Sequence, residues 1–169
     1  ILASGMLEQE ASTLLIDLGT NGEMALGNRH RLHACATAAG PAFEGGANRG
    51  IWGADMVRLL QKLLEEGLMD GQGLLKEPYF TKGVRIGDVL VTKESVRAVQ
   101  LAKGAIAAGI EILADSYGIR FSDISKVVLA GGFGYYLDPK AAVAIGLLPE
   151  ELADCTVTGG NTALSGAAM

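Results

Sequence analysis

Short apolar runs separated by turn residues open the chain. The runs are residues 14–18, 23–26 and 31–37, and the segments between them contain Asn21-Gly22 and Gly27-Asn28. Asn-Gly and Gly-Asn pairs tolerate positive φ and therefore form tight turns between strands. The pattern predicts three antiparallel strands that follow one another as a meander.

Apolar residues at helical spacing follow the meander in two places. After a glycine-rich loop at residues 39–46, the first helical pattern runs from Met56 to Leu64 and stops at Gly67. The second begins at Thr92, a residue type that caps helices. Its apolar stripe comprises Val96, Val99, Ile106, Ile110, Leu113 and Tyr117, and its small residues are Ala98, Ala102, Ala105 and Gly109. The two sets predict a long helix that packs on two sides.

The segment between these helices, residues 68–92, carries Pro78 and several glycines and is predicted to be an insertion. Within it, Val84–Ile86 and Val89–Val91 are predicted to be short strands.

Strands and helices alternate in the last third of the chain. The predicted strands are residues 125–130 and 155–158, and the predicted helices begin at Asp138-Pro139 and at residue 163. The order of elements is therefore βββα followed by αβαβα. A meander followed by such alternation predicts a mixed sheet with helices packed against it.

The composition of the chain argues against several classes of protein. The chain has 169 residues, 49% of them hydrophobic, which suits one core better than two independent domains. A net charge of −5 without a basic block argues against nucleic acid or an anionic membrane as partner. No apolar run reaches the length of a membrane span and no leader pattern is evident, so we expect a cytoplasmic protein. The start at Ile1 suggests a piece of a longer protein.

Cys35 and Cys155 are the two cysteines, and they lack the spacing of a zinc or iron–sulfur site. Both lie in apolar surroundings, so we expect core thiols rather than nucleophiles.

Three predicted strands run into glycines and polar residues at their carboxyl ends, namely at Asp17 to Glu23, Gly131 to Gly134 and Gly159 to Thr162. Glycines at such positions let backbone N–H groups approach an anion, and phosphate is the obvious candidate. Asp17 would repel phosphate, so its useful role is to hold the waters of a Mg²⁺ ion or to orient an attacking water.

The individual motifs also have plainer interpretations. The segment Asp17 to Glu23 is equally consistent with an Asn-Gly hairpin, and Gly131 to Gly134 with close helix–strand packing. Neither a P-loop nor a Rossmann fingerprint is present. The joint occurrence of the motifs, in this order, favours a nucleotide site.

Six segments together resemble a known family. They are LLIDLGTNGEMALG, ATAAGPAFEGG, VQLAKGAIAAGIEIL, VVLAGGFGYYLDP, AIGLLP and TGGNTALSGA. They are similar to the carboxyl-terminal ATPase region of the reductive activators of corrinoid proteins, within the superfamily of acetate and sugar kinases, heat-shock cognate ATPases and actin. The resemblance implies a ribonuclease H-like βββαβαβα unit, with a mixed sheet and helices on both faces. It also implies that the chain is the second half of an actin-like ATPase, because the first phosphate hairpin is missing.

The resemblance implies roles for particular residues, with ATP and Mg²⁺ as cofactors. Asp17 resembles the acid that orients metal-bound water, and Gly19, Thr20, Asn21 and Gly22 the turn around the phosphates. Gln100 and Lys103 match polar positions that line the adenine and ribose pocket, although an exposed pair on a helix face is the alternative. The other implied nucleotide contacts are Glu44, Gly45, Gly46, Gly131, Gly132, Phe133, Gly134 and Asn161. Glu23, His30 and His33 are expected to be surface residues of the hairpins.

The implied function is ATP-driven closure of a two-lobed clamp that supports reduction of Co(II) to Co(I) in a corrinoid protein. An iron–sulfur cluster is expected only in a domain upstream of this chain, and the missing amino-terminal lobe and a second copy are the other expected partners. The isolated half is expected to bind ATP weakly and to be inactive alone. A small-molecule kinase of the same superfamily and a non-catalytic interaction or dimerisation module are the alternatives.

Overall fold

A computed structural model describes residues 1–40, 42 and 53–168. The strands are β1 (Thr13–Leu18), β2 (Gly22–Gly27), β3 (Leu32–Thr37), β4 (Val84–Ile86), β5 (Val89–Val91), β6 (Lys126–Ala130) and β7 (Thr156–Gly160). The α-helices are α1 (Gly53–Glu65), α2 (Tyr79–Lys82), α3 (Lys93–Tyr117), α4 (Gly131–Gly134), α5 (Pro139–Ala144) and α6 (Thr162–Ala167). Both predicted strands of the insertion are confirmed, and they pair with each other as a separate antiparallel hairpin.

Five strands form one mixed sheet in the order β3-β2-β1-β6-β7. The first three are antiparallel neighbours, which confirms the predicted meander. Strand β6 lies parallel to β1, and β7 lies parallel to β6. The carboxyl ends of β1, β6 and β7 therefore lie side by side along one edge of the sheet.

Alternate residues of the strands point to opposite faces of the sheet. On one face, Leu14, Ile16 and Leu129 join the large core that α1, α3 and α5 cover. On the other face, Leu15 and Val128 belong to a smaller cluster that also contains Met6. Met6 lies in one of two 3-10 turns that precede β1, and α6 packs against the other. None of the helices in the described ranges is long and apolar enough to cross a membrane.

Helix α3 approaches the meander closely because it has glycine at position 109. A Cβ at Gly109 would lie 2.7 Å from Thr37 Cγ2 and 3.0 Å from Met24 Cε. At its carboxyl end, α3 is tied to the β2–β3 turn, where the Arg31 guanidinium lies 3.8 Å from the ring centre of Tyr117. The Arg31 guanidinium also donates to the Tyr117 carbonyl oxygen. These contacts fix the direction of α3 across the sheet.

The prediction that α3 packs on two sides is wrong, because the described residues cover only one face of the helix. Ala102 and Gly109 are buried, but Ala105 is only half-buried and Ala98 is exposed. The reason is geometric, since Ala102 and Gly109 lie three or four residues from Ile106 and therefore belong to the same face as the apolar stripe. The opposite face of α3 remains exposed.

The glycines of α3 give a matched test of this packing. We expect Gly109→Ala to destabilise the fold by about 1–3 kcal/mol, because the added methyl group overpacks a closed contact. A Cβ at Gly104 would have no atom within 4 Å, so Gly104→Ala is expected to leave the fold unchanged or about 1 kcal/mol more stable. Urea unfolding followed by circular dichroism measures both. Equal effects of the two substitutions would contradict the close approach at Gly109.

Candidate functional site

Three glycine-bearing strand ends lie next to one another at one edge of the sheet. Asp17 is the Cα partner of Ala130, and Ala130 is in turn the partner of Gly160. The residues that follow these positions are the β1–β2 turn, Gly131 and Asn161. The structure therefore brings together three of the segments that the sequence marked as a candidate phosphate site.

Gly131 connects two of these segments directly. Its φ is +86°, a conformation that residues with side chains rarely adopt. A Cβ at this position would overlap Asp17 Oδ1 and would lie 2.7 Å from the Leu18 carbonyl oxygen. Glycine is thus required here both by the backbone conformation and by the close approach of the Asp17 carboxylate.

The β1–β2 turn comprises residues 19–21 and is held by backbone hydrogen bonds, one within the turn and one from Gly40. The Gly19 N–H donates to the Asn21 carbonyl oxygen at 2.9 Å, and the Gly40 N–H donates to the Thr20 carbonyl oxygen at 2.8 Å. Gly19 was expected to offer its amide to phosphate, so this amide would have to leave an internal bond to do so.

Packing explains why position 22 is a glycine, and the sequence pattern did not reveal this. It belongs to β2, and a Cβ there would lie 2.8 Å from Thr37 Oγ1 and 3.4 Å from Ile106. Position 22 therefore lacks a side chain because α3 and β3 lie against it.

Residues 131–134 form one helical turn, α4, whereas the sequence predicted only that glycines end the preceding strand. Phe133 is buried in the core, and a Cβ at Gly134 would lie 3.2 Å from the backbone of Leu129. Gly132 differs from both, because it is exposed and a Cβ there would have no atom within 4 Å. Among these residues, Gly132 is the one whose missing side chain leaves open space beside the strand ends.

Two residues beyond the strand ends complete this edge. Asn161 caps α6, since its side-chain oxygen accepts from the Leu164 N–H at 2.9 Å. Tyr135 was not predicted as a site residue, yet its ring would lie 3.8 Å from a Cβ at Gly160, and the side chain is 53% exposed. An aromatic residue directly after a glycine run was the signal that could have identified it.

The amino-terminal half of α3 extends past the same edge of the sheet. Ile106 packs beside Gly22, the first residue of β2, and α3 rises about 1.5 Å per residue toward its amino end. Gln100 and Lys103 therefore lie beyond the strand ends. Lys103 Nζ donates to the Ile145 carbonyl oxygen at 2.7 Å, and Gln100 Nε2 donates to the Gln72 carbonyl oxygen.

These two hydrogen bonds tie α3 to its neighbours. Gln100 and Lys103 line a cavity of only about 30 Å³, whereas ligand pockets usually measure about 300–1,000 Å³. Gln100 also borders an open groove of about 720 Å³ together with Arg97 and Leu74. In this structure both side chains have internal partners, and their proposed contact with a nucleoside stays a prediction.

Asp17 lies in an electrostatically unfavourable place for a carboxylate. Burial is the main cause that raises the pKa of Asp17, and the neighbouring Glu23 raises it further. Asp17 and Glu23 are directly opposite in the β1–β2 ladder, where like charges destabilise a pair. Acids with perturbed pKa values are frequent at functional sites, and a cation bound beside Asp17 would favour its charged form.

The remaining sequence-predicted residues are taken in turn by their position in the chain. Glu44, Gly45 and Gly46 lie outside the described residues. Glu23 and His30 are exposed as expected, whereas His33 is half-buried and contacts the Tyr117 ring edge-on at 5.3 Å.

Cys35 and Cys155 are half-buried free thiols, and burial raises the pKa of each, which suits structural residues better than nucleophiles. Within residues 1–40, 42 and 53–168, no three His, Cys, Asp or Glu side chains come together as a metal site.

Comparison with known proteins defines the class. A family model described as the C-terminal domain of RACo, the ASKHA domain, matches residues 11–49 and 46–169. The chain belongs to this family. A solved structure named as a reductive activator for a corrinoid, iron–sulfur protein superposes with a TM-score of 0.85 at 30% identity, over 97% of this chain and 34% of that one. The chain therefore has the actin-like ASKHA fold, as the sequence predicted.

Two curated relatives have related names. The corrinoid activation enzyme RamQ of Eubacterium limosum is 34% identical over 86% of this chain and 34% of its own length. The reductase of a Co(II) methylated amine-specific corrinoid protein of Methanosarcina barkeri is 26% identical over 98% of this chain and 40% of its own length. The chain thus spans well under half the length of the relatives it matches.

The position of Asp17 predicts a pH-dependent stability. We expect Asp17→Asn to raise the midpoint of thermal unfolding at pH 7, without nucleotide or divalent cation, by less than about 4 °C, the shift that about 1 kcal/mol produces in a domain of this size. The folded-state pKa of Asp17 lies above its unfolded value. The wild type therefore loses stability as the pH rises from the unfolded-state pKa of Asp17 to its folded-state pKa, and it does not regain this stability at higher pH.

The difference between wild type and Asp17→Asn should accordingly disappear at pH values below that interval. Glu23→Gln serves as the matched control, since it removes the like charge across the ladder and leaves Asp17 in place. We expect it to give a smaller stabilisation. A wild type that is more stable than Asp17→Asn at neutral pH would contradict the assignment of burial as the main cause.

Proposed function

We propose that this chain is the nucleotide-binding half of an ATP-dependent reductive activator of a corrinoid protein. The observation that carries the proposal is the contact between Asp17 and Gly131. It brings together the end of β1, which resembles a phosphate hairpin, and the end of β6, which resembles a nucleoside-binding glycine motif. Membership of the ASKHA family supports it. The names of the relatives support a role in corrinoid activation.

The residues of this edge fit a magnesium-bound triphosphate. Asp17 offers a carboxylate that its surroundings leave poorly compensated, which suits a site for the water ligands of Mg²⁺. Gly131 lies against this carboxylate, Gly132 leaves open space next to Gly131, and the turn at residues 19–21 follows Asp17 closely in the chain. When bound, ATP would supply a γ-phosphoryl group whose transfer to water releases free energy. Asp17 would hold and orient the attacking water, and Gly132 would let the backbone lie against the nucleoside.

The other lobe and the redox centre lie outside this chain in the proposal. Nucleotide between two lobes would favour their closed arrangement through its differential affinity for the open and closed states. Closure would remodel the complex with the corrinoid protein and make the uphill one-electron reduction of Co(II) to Co(I) accessible. The electron would come from an iron–sulfur cluster in a separate domain, since Cys35 and Cys155 cannot hold one together.

Titration calorimetry with Mg-ATP tests the site. We expect weak binding to this chain and tighter binding to a longer protein that includes the other lobe, because half of a clamp supplies half of the contacts. Gly132→Ala in the longer protein is expected to weaken binding about tenfold or more, equivalent to about 1.4 kcal/mol, because a methyl group would occupy the space beside the nucleoside.

Gly104→Ala is the matched control, since Gly104 is also exposed and a Cβ there would also have no close neighbour. It should leave the affinity unchanged. Equally tight binding of Mg-ATP to the chain and to the longer protein would contradict the proposal that this chain is half of a clamp. An unaltered affinity in Gly132→Ala would contradict the proposed position of the nucleoside beside Gly132.

The exposed face of α3 favours a second candidate function, a non-catalytic interaction module. A substitution at Asp17 distinguishes this module from an ATPase. In the complete protein, we expect Asp17→Asn to reduce ATP turnover at least about 100-fold and to leave binding of the corrinoid protein intact, because the water-orienting carboxylate is lost. Phosphate release and a pull-down with the corrinoid protein measure the two properties. Unchanged turnover would favour the interaction module.

A further inference from the structure

A short turn and one side chain of α3 separate two cavities. The first is the cavity of about 30 Å³ that Gln100 and Lys103 line, and the second is the open groove of about 720 Å³. Gln72, Gly73 and Gln100 line both of them. The turn that carries Gln72 and Gly73 therefore divides a space that is too small for a nucleoside from one within the usual size range of ligand pockets.

Residues 70–74 form this turn, which we call the 70–74 turn, and its own hydrogen bonds hold it together. The Asp70 N–H donates to the Leu74 carbonyl oxygen at 3.0 Å, and the Gly73 N–H donates to the Asp70 carbonyl oxygen at 2.9 Å. The Asp70 carboxylate accepts from the N–H groups of Gln72 and Leu74 at 3.0 and 2.8 Å. Because these bonds lie within the turn, it can keep its shape whether or not it touches α3.

The two ends of the 70–74 turn are anchored, whereas the turn itself lies at the surface. Met69 and Leu75 pair as an isolated antiparallel bridge, and both side chains are buried in the core. Gly71, Gln72 and Leu74 are exposed. Segments with exposed side chains open locally at a low free energy. The turn is thus suited to swing about its anchored ends.

A side-chain hydrogen bond closes the 70–74 turn against α3. Gln100 Nε2 donates to the Gln72 carbonyl oxygen. Gly73 lies beside the same side chain, because a Cβ there would overlap Gln100 Nε2 and would lie 3.3 Å from Cγ1 of the buried Val96. Its φ of +80° also favours glycine. Glycine at position 73 therefore lets the turn lie close against α3, over Val96.

The closed turn conflicts with the nucleoside contact that the sequence predicts. The resemblance to the family places Gln100 and Lys103 in an adenine and ribose pocket, but the cavity that they line is too small for one. Leu60 of α1 and Val99 of α3 form other walls of this cavity, and both belong to the main core. Moving them would disturb close packing. The 70–74 turn is therefore the wall that can move at low cost.

We infer that the 70–74 turn is a lid over the nucleoside site, closed in this structure by the hydrogen bond between Gln100 and Gln72. When the lid swings away from α3, the small cavity joins the groove and Gln100 Nε2 becomes available to the nucleoside. A nucleoside that binds only the open form has its apparent affinity reduced by the open fraction. The inference rests on the proposed function, because the ligand is the nucleoside of ATP.

Labelling of a buried cysteine measures lid opening without any nucleotide. In the complete protein, Val96→Cys places a thiol beneath Gly73, and mass spectrometry of its peptide follows the reaction with iodoacetamide. We expect Gln100→Met in this background to raise the labelling rate about fivefold, the factor that corresponds to a hydrogen bond of about 1 kcal/mol. Gln61→Met is the matched control, since the Gln61 side chain donates to Glu65 within α1. It should leave the rate unchanged.

A disulfide across the lid tests its link to the nucleotide. Gly73→Cys combined with Val96→Cys is expected to form one on oxidation, because a Cβ at Gly73 would lie 3.3 Å from Val96 Cγ1, the position that a sulfur atom would take. In calorimetry, the oxidised form should bind Mg-ATP at least about tenfold more weakly than the reduced form, because the open fraction falls. Val96→Cys alone, treated in the same two ways, should show equal affinities.

The outcomes separate the lid from the proposed function. An unchanged labelling rate in Gln100→Met, or equal affinities of the oxidised and reduced double variant for Mg-ATP, would overturn the lid and leave the proposed function standing. Absence of Mg-ATP binding by the complete wild-type protein would overturn the proposed function, and with it the role of the lid. Native Cys35 and Cys155 report any general loosening of the fold, so their labelling should be the same in every variant.

Discussion

The parallel pairing of β1 with β6 is the interaction on which the candidate site depends. It places Asp17 beside Ala130, although more than a hundred residues separate them in the chain. Gly131 follows at once with a positive φ, and its missing side chain makes room for the Asp17 carboxylate. Without this pairing the hairpin and the glycine run would be two unrelated turns. With it they form one polar edge, which β7 extends through Gly160.

The same edge shows the conflict between stability and function that is common at binding sites. Asp17 and Glu23 are acids placed opposite each other, and burial raises the pKa of Asp17. A domain optimised for stability alone would not keep this pair. In the proposed function, nucleotide with its magnesium ion would turn the unfavourable charge into a favourable contact, which gives the arrangement a purpose.

The glycines of this domain serve two different purposes. Gly22, Gly109 and Gly134 are glycines because another element of the same chain lies against them. Gly104 and Gly132 have no such neighbour, and in the proposed function the open space at Gly132 receives the nucleoside. From sequence alone these positions are alike, since each is a glycine beside apolar residues. Sorting them requires the distances to atoms that are remote in sequence.

Local signals in the sequence determined which segments are strands and helices, where caps such as Thr92 and Asp138 stand, and which strand ends are rich in glycine. These features depend on neighbours a few residues away, so the chain itself specifies them. Tertiary structure alone decided that α4 is helical, that Gln100 and Lys103 bond to carbonyl groups, and that α3 is buried on one side. Each of those outcomes depends on contacts between distant segments, whose free energies outweigh the weak preferences of the local sequence.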